Sequence, residues 1–367
     1  MFPTLLDKYI AREIFSSLIA VTLVLLLILI GNLYIRLLGE AAEGKIPHDI
    51  IFTLLTMVSF KGVVLLIPVS LFIAVLLSLG RLYRDSEMAA LRAVGFGYSD
   101  ILRPVFILAM ITALFLTVMV FYVLPQVVMI SDDIKERAKK RTDIVGITPG
   151  RFIADADGTR VLYVQDISDD RMELQSIFIS MVEKDKDVII TGEKARQYED
   201  PETKRRYLLL ENGNRYDASP GQGGVSRLQF ERHGILLPEV GGRETRTLDA
   251  LTIDEIWGSD DLKHQGEIQW RLSFPISALL LAMLAVPLSF TSPRKGRYGK
   301  LAIAVVIYGL YSNFLVISKS WVVKGEVSPW VGTWWVHAIL LCLIGALIFR
   351  EYGLRWTIKQ RLLRRPA

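Results

Sequence analysis

Six long apolar stretches dominate the pattern of hydrophobic and polar positions along the chain. A helix that crosses the hydrocarbon layer of a bilayer needs about 20 predominantly apolar residues, and each stretch has roughly that length. They predict six transmembrane helices at about Phe15–Ile35, Thr56–Leu79, Ile101–Leu124, Leu272–Phe290, Leu301–Ile317 and Val331–Phe349. The first stretch follows Lys8 and Arg12, as in a signal peptide, but it is long and no small-residue cleavage site follows it closely. We therefore expect it to be retained as a helix.

Lysine and arginine in the short connecting segments predict the orientation of these helices. If the N-terminus is cytoplasmic, the short inner segments contain 16 of these residues and the short outer segments contain 4. Positively charged loops of membrane proteins are retained on the cytoplasmic side. We therefore expect both termini in the cytoplasm and residues 131–266 on the outer side.

Residues 131–266 have a different pattern, in which short apolar runs are separated by turn signals such as Asp-Gly and Asn-Gly. These runs predict β-strands at Arg160–Gln165, Gln175–Val182, Asp187–Ile190, Arg206–Leu210 and Ser226–Phe230. Strands of this size and spacing favour an antiparallel sandwich or jelly roll. The segment carries a net charge of −6 and the rest of the chain +11, as expected for a soluble domain within a basic membrane portion.

The predicted fold class is thus a membrane α-helical protein with an inserted all-β domain. Residues 1–130 hold the first three membrane helices, residues 131–266 the β domain, and residues 267–367 the last three helices and a basic tail. The composition agrees, because 51% of the residues are hydrophobic and the mean hydropathy is +0.37.

Residue types that carry catalysis are sparse in this sequence. Cys342 is the single cysteine and lies in an apolar run, so the chain contains no disulfide and no cysteine-based metal cluster. The four histidines are scattered, and no phosphate loop, zinc-protease motif or nucleophile elbow is present. We therefore expect no catalytic activity, no metal and no cofactor in this chain, and nothing indicates a nucleic-acid partner.

The connection between the second and third predicted spans contains a candidate interaction helix over residues 85–95. Asp85 and Ser86 form a helix start signal and Gly95 a stop signal. Met88, Leu91 and Val94 recur at spacings of three or four, which gives the short helix an apolar side. Such a helix can dock into a groove on a soluble partner. The alternative is a loop that rests on lipid headgroups.

Three basic residues lie near or within the membrane on its outer half: Arg36, Lys61 and Lys319. Charges there are costly unless they face a cavity, have a partner or reach the interface. Arg36 and Lys319 end the first and fifth spans, so they either extend to the headgroups or pair with an anionic group of a bound ligand. Lys61 lies deeper, where it could line a water-filled cavity or find a partner.

From these residues alone two functions stay open. The chain is either a transporter subunit without its own catalysis, or a membrane-anchored scaffold or sensor whose β domain binds a partner. A permease for another lipid or for lipoproteins is a further alternative, although such permeases usually have four spans.

Local motifs along both membrane halves resemble one family, the paired permeases LptF and LptG of the lipopolysaccharide-export ABC transporter, and the F-type more than the G-type. The motifs are Arg36-Leu37-Leu38-Gly39, Ile67-Pro68-Val69-Ser70-Leu71-Phe72, Leu79-Gly80-Arg81-Leu82-Tyr83, Ser86-Glu87, Ala93-Val94-Gly95, Gln269-Trp270-Arg271-Leu272, Val286-Pro287-Leu288-Ser289 and Pro293-Arg294-Lys295-Gly296-Arg297. The β domain resembles the family mainly in position and character.

The resemblance implies a Gram-negative inner-membrane protein with a periplasmic jelly roll. It implies a heterodimer with the G-type permease, two copies of a cytoplasmic ATPase that binds the ATP, the single-span partner LptC, a periplasmic bridge protein and lipopolysaccharide as substrate. Residues 85–95 match the family's coupling helix, whose contact residues would be Asp85, Glu87, Met88, Leu91, Arg92, Val94 and Gly95. Glu87 is the residue that we expect to contact the ATPase.

The same resemblance places Arg36 and Lys319 at basic positions near the lateral gate through which the lipid enters. It therefore favours lipid phosphate as their partner, with Lys61 as a further candidate. The family pattern leads us to expect a second basic residue three positions before Arg36, where this chain has Leu33.

Overall fold

The fold is described from a computed structural model. It describes residues 5–42, 50–145, 149–150, 152–154, 160–168, 173–183, 186–200, 203, 206–218, 224–236, 247–290 and 297–363. Contacts divide the chain into two compact units. The first comprises Met1–Leu33, Leu55–Ser131 and Arg246–Ala367, and the second comprises Tyr34–Leu54 and Asp132–Thr245.

Long helices make up most of the first unit. The helices are α1 (Leu5–Ala42), α2 (Ile51–Arg84), α3 (Glu87–Ala93), α4 (Tyr98–Val118), α5 (Leu124–Val145), α6 (Ile253–Ile256), α7 (Leu262–Ser289), α8 (Arg297–Lys324) and α9 (Trp334–Leu363). A π-helical turn, Met119–Val123, joins α4 to α5, so the chain is helical from Tyr98 to Val145. A 3₁₀ turn, Leu248–Ala250, precedes α6.

The predicted membrane spans coincide with these helices. Among the described residues, 5 helices are long and apolar enough to cross a bilayer, and they contain the first five predicted spans except Phe290, which directly follows the fourth of these helices. The sixth predicted span begins three residues before α9 and otherwise falls within it; the apolar part of α9, Trp334–Arg350, has a length near the lower limit for crossing. Pro68, Pro275 and Pro287 lie inside α2 and α7, which continue through them.

Helix α7 is the centre of the helical core. It packs against α4, α8 and α9. Ala278, Ala282 and Ala285 are completely buried at spacings of three or four along its length. Small residues in such a row let neighbouring helices approach closely, which membrane proteins need because lipid competes with side chains for apolar contact.

The second unit contains the β domain. Its strands are β1 (Phe152–Ala154), β2 (Arg160–Ile167), β3 (Glu173–Glu183), β4 (Lys186–Glu199), β5 (Arg206–Ala218) and β6 (Val225–Leu236). The prediction of an inserted antiparallel β domain is confirmed. The five predicted strands are all present, four of them several residues longer than their apolar runs, and β1 was not predicted because it has only 3 residues.

The strand order is simpler than a sandwich or a Greek-key jelly roll. All described strands form one 6-stranded sheet in the order β1-β2-β3-β4-β5-β6, and every neighbouring pair is antiparallel. The described strands therefore contain no crossing connection. Short links explain this order, because a strand that follows another after a tight turn pairs with it most readily.

A crease crosses the sheet from β2 to β6. The regular pairing is interrupted at one residue in each of these strands: Gln165, Ser176, Glu193, Asn212 and Glu231. Ser176 and Asn212 both adopt φ 51, in the left-handed region. The buried positions in β3 shift there from Leu174 to Ile177, so one face stays inside on both sides of the crease.

Glycine makes the crease possible on its inner face. A Cβ on Gly192 would lie 2.9 Å from Leu210 Cδ2, and one on Gly213 would overlap the Phe230 ring. The Leu210 side chain thus covers Gly192 from across the crease, and the Phe230 ring covers Gly213, its partner in the neighbouring strand. The inner face is apolar and includes Val164, Leu174, Ile177, Val188 and Leu210.

Candidate functional sites

Lys319 is held by an acidic residue that the sequence analysis did not single out. Its Nζ donates to Glu267 Oε2 at 2.7 Å, joining α8 to α7. The same ammonium lies 5.1 Å from the centre of the Trp270 ring, within the range of a cation–π contact. The Lys319 side chain is 23% exposed, whereas Glu267 is 2% exposed. Lys319 is thus already paired, with one side open to the surroundings.

Arg271 holds the other oxygen of the same carboxylate. Its Nε donates to Glu267 Oε1 at 2.9 Å, and both side chains are 2% exposed. Nη2 of Arg271 donates to the backbone carbonyls of Leu248 and Asp249 at 3.0 and 3.2 Å. The remaining Nη1 is buried and has no partner among the described residues. A buried arginine is tolerated here because its charge and most of its donors are satisfied.

Lys61 completes the group from α2. Its Nζ forms an ion pair with the Asp249 carboxylate. The group therefore contains three cations and two anions, and we call it the charged cluster: Lys61, Asp249, Glu267, Arg271 and Lys319. Its formal net charge is positive by one unit, so it favours an anionic ligand over a cationic one.

Three residues of the charged cluster, Asp249, Glu267 and Arg271, were only weakly indicated as site residues by the sequence. Glu267 and Arg271 are four residues apart, a spacing at which opposite charges pair along a helix. Nothing in the sequence brings Asp249 to Lys61 or Glu267 to Lys319, because those contacts depend on how separate elements pack.

Arg36 lies on α1 and belongs to the second unit. Its side chain is exposed, between the buried residues Leu33 and Leu37. It forms no ion pair with any residue in the described ranges. Leu33 is 5% exposed, so a charge at this position would be desolvated in this chain. The role of Arg36 toward phosphate stays a prediction.

The short helix predicted between the second and third spans is present as α3. Its C-terminal stop is confirmed: Gly95 has φ 93, its N–H donates to the Arg92 carbonyl, and the Phe96 N–H donates to the Leu91 carbonyl. This pair of bonds is a Schellman motif. The start differs from the prediction, because the Ser86 side chain makes no cap bond and Ser86 has φ 62.

Asp85 also acts differently from a helix cap. Arg84 Nε donates to Asp85 Oδ1 at 2.9 Å. This hydrogen bond lowers the pKa of the exposed Asp85 carboxyl below its usual value, and the charge of the same guanidinium adds to the effect. Asp85 is therefore ionised at neutral pH and offers a negative charge directly before α3.

The two sides of α3 have different surroundings. Met88 is 1% exposed and packs into the helical core, and Leu91 is partly buried against it. Val94 is 80% exposed. Met88, Leu91 and Val94 were predicted to form one interaction surface. In the structure, Met88 instead anchors α3 within its own chain, and Val94 remains accessible.

Polar contacts fix α3 to its neighbours at both ends. The Tyr9 hydroxyl of α1 donates to Glu87 Oε2 at 2.7 Å, and Arg81 Nη2 donates to that hydroxyl at 3.3 Å. The Arg92 guanidinium lies 4.6 Å from the centre of the Phe290 ring. Glu87 is thus half-buried and hydrogen-bonded to α1 while remaining reachable.

Buried polar contacts inside the helical core account for His337. The Tyr311 hydroxyl lies 2.8 Å from His337 Nδ1 and 2.7 Å from Ser277 Oγ, and His337 Nε2 lies 3.3 Å from Ser273 Oγ. These contacts join α7, α8 and α9. Within the part of the chain that the structure describes, no group of three or more histidine, cysteine, aspartate or glutamate side chains could hold a metal ion.

Comparison with known proteins covers almost the whole of this architecture. The sequence profile of a family described as lipopolysaccharide export system permease LptF/LptG matches residues 8–350. The lipopolysaccharide export system permease protein LptF of Escherichia coli strain K12 is 25% identical over 342 residues, which is 92% of each chain. The protein of the same name from Shigella flexneri matches with the same identity and coverage.

Proposed function

Because the chain belongs to the LptF/LptG family of lipopolysaccharide export permeases, we propose that it is one permease subunit of an ABC transporter in the inner membrane of a Gram-negative bacterium. The subunit extracts lipopolysaccharide from the outer leaflet of that membrane and passes it toward a periplasmic bridge. Both termini are cytoplasmic in this proposal, and the β domain is periplasmic.

The observation that carries the proposal is α3, a short ordered helix that is anchored on one side and exposed on the other. Met88 fixes it to the helical core, while Val94 remains accessible to a cytoplasmic partner. The sequence has no phosphate-binding loop, so ATP is hydrolysed on a separate chain. Two copies of such an ATPase, a G-type permease and the single-span LptC are the partners that this proposal requires.

The lipid is handled by two kinds of surface. Arg36 and Lys319 bind its phosphate groups, for which charge-assisted hydrogen bonds are suited. Its acyl chains then move along the apolar inner face of the β domain. Keeping them out of water matters, because each exposed CH₂ costs about 0.8 kcal/mol.

Photocrosslinking of lipopolysaccharide to the full transporter tests this function. A photoreactive residue replaces Val316, which is exposed on α8 three residues before Lys319 and therefore lies on the same side of the helix. We expect a lipopolysaccharide adduct in the purified complex. We further expect Arg36→Glu and Lys319→Gln each to reduce the adduct by roughly threefold to tenfold, the range for losing one charge-assisted contact.

Lys324→Gln is the matched control, because Lys324 is an exposed cation at the end of the same helix. It should leave the adduct unchanged. Two results together would contradict the proposal and favour a membrane-anchored scaffold. The chain that carries only the photoreactive residue forms no lipopolysaccharide adduct, and it purifies without a second permease or an ATPase. An adduct insensitive to both substitutions would return Arg36 and Lys319 to the role of interface anchors.

A further inference from the structure

We infer that Glu267 sets the lipid specificity of the Lys319 site, because its carboxylate competes with the phosphate of a bound lipid for the Lys319 ammonium. The inference rests on the proposed function, since it concerns which lipid Lys319 accepts. It makes Glu267 a specificity-determining residue, which holds and releases Lys319 without contacting the lipid.

The geometry gives Glu267 two partners of unequal mobility. Arg271 binds Oε1 and is completely enclosed, whereas Lys319 binds Oε2 and is 23% exposed. The Lys319 ammonium has three donors on a flexible stem. It can therefore turn from Glu267 toward an anion that approaches from the exposed side, while the Trp270 ring continues to support its charge.

Release of Lys319 does not leave Glu267 unpaired. Arg271 stays bonded to the carboxylate at 2.9 Å, and the carbonyls of Leu248 and Asp249 continue to hold Arg271. A buried carboxylate without any partner would cost several kcal/mol, which would prevent the exchange. The second cation thus makes the exchange of Glu267 for a lipid phosphate feasible.

The exchange favours ligands with a high density of negative charge. A phosphomonoester carries a charge of about −1.5 to −2 near neutral pH, whereas the phosphodiester of an ordinary phospholipid carries one negative charge. A single charge gains little by replacing the carboxylate that Lys319 already has. A lipid with phosphomonoester groups gains more, so Glu267 excludes the abundant phospholipids from the site.

Competition between two lipids tests this inference. The full chain, purified with its co-expressed partners, carries the photoreactive residue at position 316 and is placed in nanodiscs with lipopolysaccharide and increasing mole fractions of phosphatidylglycerol. The measured quantity is the mole fraction of phosphatidylglycerol at which the lipopolysaccharide adduct falls to one half. We expect Glu267→Gln to lower this mole fraction by roughly threefold to tenfold, as for removal of one partly exposed charge pair.

Matched variants separate specificity from folding. Glu326→Gln removes an exposed acidic charge just beyond α8 and should leave the competition unchanged. Glu267→Gln leaves Arg271 without its carboxylate, so two further variants protect the test from misfolding. Glu267→Gln with Arg271→Gln removes the whole buried pair, and Glu267→Asp keeps the charge beside Arg271 but withdraws it from Lys319 by one methylene. Both should shift the competition in the same direction as Glu267→Gln.

The role of Glu267 would be overturned if the folded variants showed unchanged competition while the chain with only the photoreactive residue formed its normal adduct. That result would leave the proposed function intact. If the chain with only the photoreactive residue formed no lipopolysaccharide adduct, the proposed function would be contradicted instead.

Discussion

Gly332 occupies a place before α9 that only a residue without a side chain can fill. It has φ 34, and an added Cβ would overlap the Gln269 side-chain amide. That amide links α7 to the turn before α9: Nε2 donates to the Pro329 carbonyl at 2.6 Å, and Oε1 accepts from the Thr333 N–H at 3.0 Å. One glycine thus permits the contact that fixes the N-terminal end of α9.

We predict that Gly332→Ala destabilises the helical core. The new methyl group displaces Gln269, so a buried N–H and a carbonyl lose their partner, which costs about 2–4 kcal/mol together with the steric strain. Thermal unfolding of the purified protein in detergent measures the loss. Gly345→Ala is the control, because a Cβ at that position of α9 meets no atom within 4 Å. Equal unfolding temperatures for both variants would show that the Gln269 contact contributes nothing.

Single residues also show where the sequence was insufficient. The sequence predicted that Lys61 and Lys319 lie near or within the membrane and need a partner, but it did not indicate which residues pair with them. Residues 249 and 267 are far from them in sequence, and only the packing of α2, α7 and α8 brings the opposite charges together. Sequence patterns report which charge needs a partner, whereas tertiary structure decides which partner it obtains.

At the scale of the element, α3 is too short to be stable by itself. It has 7 residues, and isolated helices shorter than about 12–15 residues are marginal in water. Its stability therefore comes from Met88 in the core, from the Glu87–Tyr9 hydrogen bond and from Arg92 over Phe290. In the proposed transporter, a helix held in this way transmits a push from the ATPase on its exposed side to the helices beneath it.

We predict that Met88→Ala loosens α3 and that Val94→Asp does not. Removing a buried methionine side chain costs about 2–5 kcal/mol, so the α3 amides should exchange hydrogen at least roughly tenfold faster. Val94 is exposed, so its replacement should leave this exchange unchanged but weaken co-purification of the ATPase. Hydrogen exchange with mass spectrometry and a pull-down separate the two effects. Faster α3 exchange in Val94→Asp would contradict the division into an anchored and an accessible side.

Elements were more predictable than contacts. The length of each long apolar run located the membrane helices, and the short apolar runs located five of the strands. The predicted ends of these strands were wrong, because β4, β5 and β6 continue through polar residues beyond the crease. At the crease the alternation of buried and exposed side chains changes phase. Asn212-Gly213 was interpreted as a turn between strands, whereas both residues lie inside β5 at the crease.

At the scale of the whole molecule, apolar surface is distributed differently in the two units. In the first unit, α1 and α8 carry many exposed large apolar side chains, as expected of helices that face lipid or a second permease. In the second unit, the apolar side chains gather on the inner face of the creased sheet. Each unit thus offers a different surface: charges with apolar helices in one, and the apolar face of a sheet in the other.

The proposed path of the acyl chains predicts a difference between neighbouring positions of β6. Phe230 is partly buried on the inner face, and Gln229 is exposed on the other side of the strand. A photoreactive residue at position 230 should form a lipopolysaccharide adduct that depends on ATP, and one at position 229 should form roughly fivefold less, because the chains gain about 0.8 kcal/mol per CH₂ only against apolar surface. Both variants are compared in the full transporter with and without ATP. Equal adducts at the two positions would show that the lipid does not follow the inner face, and adducts independent of ATP would show that its movement there is not driven by the ATPase. Successive side chains of a strand point to opposite faces, so this pair tests the path with the sequence position almost unchanged.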